Sequence, residues 1–363
     1  MNKKTPLILR FLVTLIVAGI LASCASLKQS SAPSYVWPEP PDEPRVAYEF
    51  TLKNADSLQS VSPEDKLKAF ATGQANSTQS SFLKPYDIAA QDGLIVVTDS
   101  LLNVAHVFDV PRKKLFSIGW RKEGKLIKPL GVAMDSAQNI YIVDGGRGIV
   151  IKYDRLGLFL GTFGVKSDFS RISDIAVSAK GDKVYVLDRG GVDSNMHRVT
   201  VYDGKGKKLK TIGQRGHRPG EFNHPTQLAL NKNGKLFVLD SGNFRVQIFN
   251  EQGVYENKWG RPGNNAGNFA RPRGIAVDDF DRVFVTDSAY QNFQIFNENG
   301  QLLLSVGSGG GEDLPGQYML PAGIAVDETQ RVYVVDQIRR KVEVYRMLGV
   351  NDAESSLKQK DNR

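Results

Sequence analysis

Short runs of hydrophobic and β-branched residues follow one another along most of the chain, separated by Gly, Asn and Asp. A typical unit opens with Pro272–Asp278 (PRGIAVD) and continues with Val283–Asp287 (VFVTD). A third run, and often a fourth that closes on Gly, completes the unit. Runs of this length bounded by turn residues are typical of β-strands. The absence of a long stretch with helical periodicity excludes a solenoid of helix pairs.

The unit recurs six times, and an Asp at the end of its second run marks the phase. These marker Asp residues are Asp99, Asp144, Asp188, Asp240, Asp287 and Asp336, spaced 44 to 52 residues apart. Six copies of a four-strand unit predict an all-β fold, a six-bladed β-propeller. We expect each marker Asp to end a strand and to hydrogen-bond the following turn through its side chain.

The repeats resemble the NHL-repeat family of propellers over about residues 83 to 346. The segment from Trp37 to Arg45 also resembles a segment found ahead of the propeller in bacterial NHL lipoproteins. The resemblance implies a six-bladed propeller made of NHL repeats. It implies no single function, because that subgroup has none in common.

The sixth unit has only three runs, and no fourth follows Arg346. A missing strand would leave an unpaired sheet edge. The run Val46–Leu52 (VAYEFTL) lies ahead of the first repeat, and we predict that it becomes the outer strand of the last blade and closes the ring. The alternative is an independent N-terminal strand. Residues 63–70 predict a short helix with Ser62 as its N-cap.

The N-terminus has the layout of a signal peptide, with Lys3, Lys4 and Arg10 near a short apolar run. The run ends in Leu21–Cys24 (LASC), which resembles the bacterial lipobox, whose Cys is lipidated. The predicted organisation is a signal peptide over 1–23, a lipidated Pro/Ser-rich tether over 24–44, the propeller over 45–346 and a disordered tail over 347–363. An ordinary secretory signal and a single membrane anchor are the alternatives.

A lipidated Cys24, carrying acyl chains such as palmitate, would hold the protein to a membrane without a spanning segment. Ala25 follows it, where enteric lipoproteins retained in the inner membrane often have Asp. By analogy we expect the outer membrane, with the protein facing the periplasm as a monomer. Cys24 is the only Cys, so no disulfide is expected. Removal of the signal peptide lowers the net charge from +8 to about +5, a modest excess that serves solubility.

Departures from the repeat indicate where a site could lie. The third unit carries five extra residues between its second and third runs, within 189–198. This insertion includes Asp193, Asn195 and His197 and belongs to the face on which propellers usually bind. A tolerated loop insertion is the alternative.

Polar residues also interrupt the Gly pattern where the inner strands begin. Those that converge on the channel mouth are Tyr86, Asp87, Asp174, Gln227 and Arg273. They form either a binding site or a neutralising network that plugs the channel. In the loop between the third and fourth units, Arg215, His217 and Arg218 suit an acidic partner.

The favoured function is a non-enzymatic binding or scaffold module for a protein, peptide or glycan, without cofactor or catalytic residue. Some NHL propellers are lyases that hold zinc with three His after the inner-strand Pro. None of the equivalent positions here is His: Tyr86, Leu130, Ser173, Thr226, Arg273 and Ala322. The alternative is a metal-assisted lyase, hydrolase or lactonase at the channel mouth, with calcium on Asp87 and Asp174. RNA binding conflicts with export, so no nucleic acid is expected.

Overall fold

The structure is a computed structural model that describes residues 35–59 and 80–349. Cys24, the signal peptide, the start of the tether, the helix predicted over 63–70 and most of the tail lie outside these residues. The described part contains three short 3₁₀-helices, Ala55–Leu58, Lys166–Asp168 and Ser241–Asn243. None of its helices is long and apolar enough to cross a membrane.

Strands make up most of the described chain. In order they are β1 (Val36–Trp37), β2 (Val46–Leu52), β3 (Pro85–Gln91), β4 (Leu94–Asp99), β5 (Val104–Asp109), β6 (Lys114–Ile118), β7 (Pro129–Met134), β8 (Ile140–Asp144), β9 (Ile149–Tyr153), β10 (Phe159–Phe163), β11 (Ile172–Val177), β12 (Lys183–Arg189), β13 (His197–Asp203), β14 (Lys208–Ile212), β15 (Gln227–Leu230), β16 (Leu236–Asp240), β17 (Arg245–Phe249), β18 (Tyr255–Trp259), β19 (Pro272–Val277), β20 (Val283–Asp287), β21 (Asn292–Phe296), β22 (Leu302–Val306), β23 (Ser308–Gly309), β24 (Gln317–Tyr318), β25 (Pro321–Val326), β26 (Arg331–Asp336) and β27 (Lys341–Met347).

Six antiparallel sheets form the blades of a closed ring, which confirms the all-β, six-bladed propeller. Blades 1 to 5 are β3–β6, β7–β10, β11–β14, β15–β18 and β19–β22, and blade 6 contains β25–β27. The first strand of each blade contacts the first strands of both neighbouring blades, so these six strands surround the central channel. β23 and β24 form a short parallel pair between blades 5 and 6.

The N-terminal strand closes the ring as predicted. β2 pairs antiparallel with β27 and becomes the fourth strand of blade 6. Val46 and Leu52, at its two ends, are completely buried. Glu49 accepts a hydrogen bond from Arg331 of β26 at 2.5 Å. Part of the range predicted as tether is also ordered in the sheet, because β1 pairs with β2 as a fifth strand.

The hydrophobic core lies between blades rather than inside any one of them. Six clusters of buried side chains each join two adjacent blades, for example Phe284 of blade 5 with Tyr345 of blade 6. The second strands β8, β16 and β20 are buried along their whole length because they pack against a blade on each side. The ring is therefore the unit of stability, since one blade alone would expose both its apolar faces.

The marker Asp ends the second strand in five blades, whereas in blade 3 the strand continues for one residue beyond Asp188; all six Asp are completely buried. The carboxylate accepts hydrogen bonds from the following turn in all six blades, as from Leu101 and Gly146, which confirms this part of the prediction. In blade 4 the donor is the Asn243 side chain, and Asp240 is also paired with the Arg245 guanidinium at 2.8 Å. The carboxylates also accept from the loop that enters their own blade, as Asp99 does from the backbone N–H of Lys84. These residues therefore shape one end of the ring, called the upper face below.

Candidate functional site

Two adjoining pockets open on the upper face around the channel mouth, with volumes of about 540 Å³ and about 350 Å³. Tyr86, Arg189 and Arg273 line both of them. All six blades contribute side chains to the walls. A concave site shared by every blade is the default position for a ligand in such a ring.

Asp87, Asp174 and Gln227 lie beneath this mouth and are buried. Each bridges to the next blade: Asp87 accepts from the backbone N–H of Val132, Asp174 from that of Leu228, and Gln227 from that of Ile275. Gln227 also donates a short hydrogen bond to Asp87 across the channel. The structure thus brings these three predicted residues together, in a network that ties five blades to one another.

Burial favours the protonated forms of the two carboxyl groups in this network. Burial raises the pKa of Asp87 to about 6, although hydrogen bonds to its carboxylate oppose the shift. Burial and the neighbouring Asp87 charge raise the pKa of Asp174 as well. A side chain at Gly131 would collide with the Asp174 carboxylate, and one at Gly323 with that of Asp87. Of the two alternatives for this group, a binding site or a network that plugs the channel, these contacts favour the plug.

Tyr86 and Arg273 occupy the mouth itself, above the buried network. Arg273 donates a hydrogen bond of 3.4 Å to the Gln337 side chain. Burial lowers the pKa of Arg273, and the positive charges of Arg189 and Arg271 lower it further. Burial raises the pKa of Tyr86, while Arg189 and Arg273 oppose that shift. The mouth is therefore a place where positive charges crowd together.

The insertion in blade 3 lengthens a hairpin and also forms a loop, because β12 runs on to Arg189 and β13 starts at His197. Asp193 and Asn195 are exposed on it. His197 is completely buried, which corrects its assignment as an accessible ligand. Its Nδ1 accepts from the backbone N–H of His224 at 3.1 Å, and its Nε2 lies 3.3 Å from the Gly191 carbonyl oxygen. His197 therefore anchors the insertion to the loop of the next blade.

The loop that precedes blade 4 exposes Arg215, His217 and Arg218 as predicted. Its backbone is held by the buried Arg245, whose guanidinium donates to the carbonyl oxygens of His217 and Arg218, at 2.9 Å each. None of the three predicted side chains lines the two mouth pockets. They form a separate basic edge of the upper face.

The sequence interpretation missed most of the positive charge at the mouth. In four units the residue directly before the inner strand is basic, namely Lys84, Lys128, Arg171 and Arg271, and all four are exposed and line the pockets. Lys166 and Arg189 add to them. Comparison of the six copies at this one position would have found the pattern, because it is a repeat position and not a departure from the repeat.

The opposite end of the channel, the lower face, has another pocket of about 640 Å³. Seven carboxylates line it, together with Lys180 and Lys232: Asp92, Asp182, Glu251, Asp278, Asp279, Asp327 and Glu328. Within residues 35–59 and 80–349, no group of three His, Cys, Asp or Glu side chains is arranged to hold a metal ion.

Comparisons with known proteins agree with this architecture. Residues 222–249 match the NHL repeat, and residues 275–355 match a family described as 6-bladed beta-propeller. No curated protein matches the sequence.

Solved structures share the fold at low sequence identity. A gluconolactonase from Xanthomonas campestris is 13% identical, with a TM-score of 0.55, over 88% of this chain and 99% of that one. A protein of unknown function from Bacteroides thetaiotaomicron is 17% identical, with a TM-score of 0.55, over 76% and 72%. Virginiamycin B lyase from Staphylococcus aureus is 12% identical, with a TM-score of 0.51, over 73% and 96%. The chain is therefore an NHL-repeat six-bladed β-propeller.

Proposed function

We propose that this propeller is a monomeric, lipid-anchored binding module of the cell envelope, which engages a protein, peptide or envelope polymer with its upper face and catalyses no reaction. The observation that carries the proposal is the pair of adjoining pockets at the upper mouth, walled by side chains of all six blades. The closed ring and its six inter-blade cores hold these walls in place before a ligand arrives. A rigid, pre-formed concavity is suited to recognition.

In-cell photo-cross-linking tests which face binds. A photoreactive amino acid replaces Ile127, which is exposed on the upper face beside Lys128, or Asn233, which is exposed at the lower mouth, as the matched control. We expect covalent adducts from position 127 and none above background from position 233. Adducts from position 233 alone, or equally from both, would contradict binding at the upper face.

The lipid anchor is a separate part of the proposal and rests on the sequence around Cys24. Two or more acyl chains would hold the protein at the membrane, by analogy the outer membrane, with the propeller in the periplasm. We expect a Cys24→Ala variant to move from the membrane fraction to the soluble fraction of fractionated cells. Retention of this variant in the membrane fraction would overturn the anchor.

A metal-assisted lyase, hydrolase or lactonase is the second candidate. The Asp87–Asp174 pair favours it, because two carboxyl groups with raised pKa values beneath a channel mouth are an arrangement that enzymes use. The named activities of the gluconolactonase and the lyase suggest the reaction types only by analogy of fold. If a metal is held there, purification without chelator should retain it, and Asp87→Asn or Asp174→Asn should release it, as measured by mass spectrometry. A metal-free wild-type protein would count against this candidate.

A further inference from the structure

The cations at the upper mouth are placed by the repeat itself. The backbone N–H groups of Lys84, Lys128, Arg171 and Arg271 each donate to the marker Asp of their own blade, at 2.8 to 3.1 Å. The inner strand begins at the next residue in all four blades. The backbone is thus fixed on both sides of each cation, and four positively charged side chains stand around one opening.

These positive charges have no counterion in the described part of the protein. None of the seven Lys and Arg side chains that line the two pockets forms an ion pair there: Lys84, Lys128, Lys166, Arg171, Arg189, Arg271 and Arg273. The larger pocket contains no carboxylate in its lining, and the smaller one contains only the buried Asp174. Like charges held this close repel one another unless an anion lies between them.

Two of the cations depart from the repeat and lie where the pockets meet. Arg189 follows its marker Asp, where the other blades have Ser100, Gly145, Ser241, Ser288 and Gln337. Arg273 occupies the second inner-strand position. Both lie near the Tyr86 hydroxyl, whose pKa they affect. Their guanidinium groups present planar, forked donors of the kind that recognise carboxylate and phosphate.

Buried hydrogen-bond donors without a partner also indicate a ligand that supplies acceptors. Gln337 lines the larger pocket with only 6% of its surface exposed, and its side-chain oxygen accepts from Arg273. Within the described ranges its Nε2 has no hydrogen-bond partner, and neither does the buried Nε of Arg189. An unpaired buried donor is unfavourable, and a ligand that supplies acceptors would satisfy it.

We infer that the upper mouth binds a multiply charged oxyanionic segment of its partner, with one carboxylate or phosphate group held between Arg189 and Arg273 and its other charges near the surrounding ring of Lys and Arg. The inference deepens the proposed binding function by naming the chemistry of the ligand, and it rests on the upper face being the binding face. Several exposed cations would also draw such a ligand to the mouth from a distance.

Calorimetric titration of the full-length protein in nonionic detergent tests the inference. The probes are trigalacturonate for carboxylate, inorganic triphosphate for phosphate, and maltotriose as an uncharged control. We expect at least one anionic probe to bind, with an affinity that falls as salt is raised to about 0.5 M, and maltotriose to give no heat. The anion that binds more tightly identifies the source of the oxyanion.

Matched variants locate the site. Arg189→Gln and Arg273→Gln should each weaken anion binding about tenfold or more. Lys232→Gln removes one positive charge at the lower mouth and should leave the affinity unchanged. Thermal unfolding shows whether each variant is folded; if either arginine variant is not, Lys128→Gln, whose side chain is exposed, serves instead with an expected loss of about threefold.

The inference is overturned if neither anion binds, if maltotriose binds equally well, or if the Lys232 variant loses as much affinity as the arginine variants. Such a result would leave the binding module standing if adducts still form from position 127 in cells. Loss of those adducts would instead contradict binding at the upper face. Failure of the anion inference and failure of the proposed function are therefore distinguishable.

Discussion

The two ends of the channel carry opposite charge, and their charged side chains differ in how many form hydrogen bonds within the protein. Seven Lys and Arg side chains line the upper mouth, whereas seven carboxylates line the lower one. Five of the lower carboxylates accept hydrogen bonds from the protein itself: Asp182, Glu251, Asp278, Asp327 and Glu328. Among the upper cations of the described chain, Arg273 alone donates a side-chain hydrogen bond.

The difference shows that the carboxylates of the lower mouth are explained mainly by their hydrogen bonds to hairpin turns. The positively charged side chains of the upper mouth have no such structural explanation. Asp278 and Asp327 lie at the ends of inner strands and accept from the backbone of the turn that follows. The need to stabilise these turns therefore explains why Asp occupies both positions. Apart from the contact between Arg273 and Gln337, the upper cations hydrogen-bond within the described chain through their backbone, which leaves their side chains free for a ligand.

The largest effect is expected from Asp327→Ala at the lower mouth, which should destabilise the protein by about 2–3 kcal/mol. The change removes the acceptor of the Thr329 and Arg331 backbone N–H groups and of the buried Tyr333 hydroxyl. Arg271→Ala at the upper mouth should change stability by less than about 0.5 kcal/mol. Urea unfolding measures the free energy of unfolding of both variants. Equal losses would contradict the difference between the two ends.

The pH dependence of stability should reveal the acid pair under the upper mouth. Because burial raises the pKa of Asp87 to about 6 and raises that of Asp174, the folded state holds protons that the unfolded state has released. Their stabilising contribution is present in full below the unfolded pKa of about 4 and is lost as pH rises through the folded values.

An Asp174→Asn variant tests this, because its amide does not ionise and its oxygen can still accept from the backbone N–H of Leu228. Relative to the wild type, the variant should gain on the order of 1–3 kcal/mol between about pH 4 and 7. Urea unfolding across that range measures the gain. A constant difference at every pH would show that the carboxyl groups do not hold a proton in this window.

A smaller effect is expected in the blade 3 insertion, where His197 is buried and hydrogen-bonded while Asp193 is exposed. His197→Ala leaves the His224 backbone N–H without its acceptor and should cost about 1–2 kcal/mol. Asp193→Ala, on the exposed part of the same insertion, should cost less than about 0.5 kcal/mol. Thermal unfolding compares the stability of the two variants. If His197→Ala leaves the stability unchanged, other contacts hold the insertion in place.

The sequence alone determined the repeat, the number of blades and the strand that closes the ring. Six in-phase marker Asp residues define six blades, and the missing fourth run of the last unit matches the spare run Val46–Leu52. Each strand is a local pattern that a short chain segment contains, and the closing strand follows from counting these runs along the whole chain. The same reasoning named Tyr86, Asp87, Asp174, Gln227 and Arg273 as one group before their contacts were known.

Only the tertiary structure decided which of these residues face a ligand. It buried Asp87, Asp174 and Gln227 in a network that spans five blades, and it buried His197 against the loop of the next blade. It also gathered Lys84, Lys128, Arg171 and Arg271, which are 43 to 187 residues apart in the chain, around one mouth. Burial and charge depend on side chains from other blades, and closing the ring is the step that brings those side chains together.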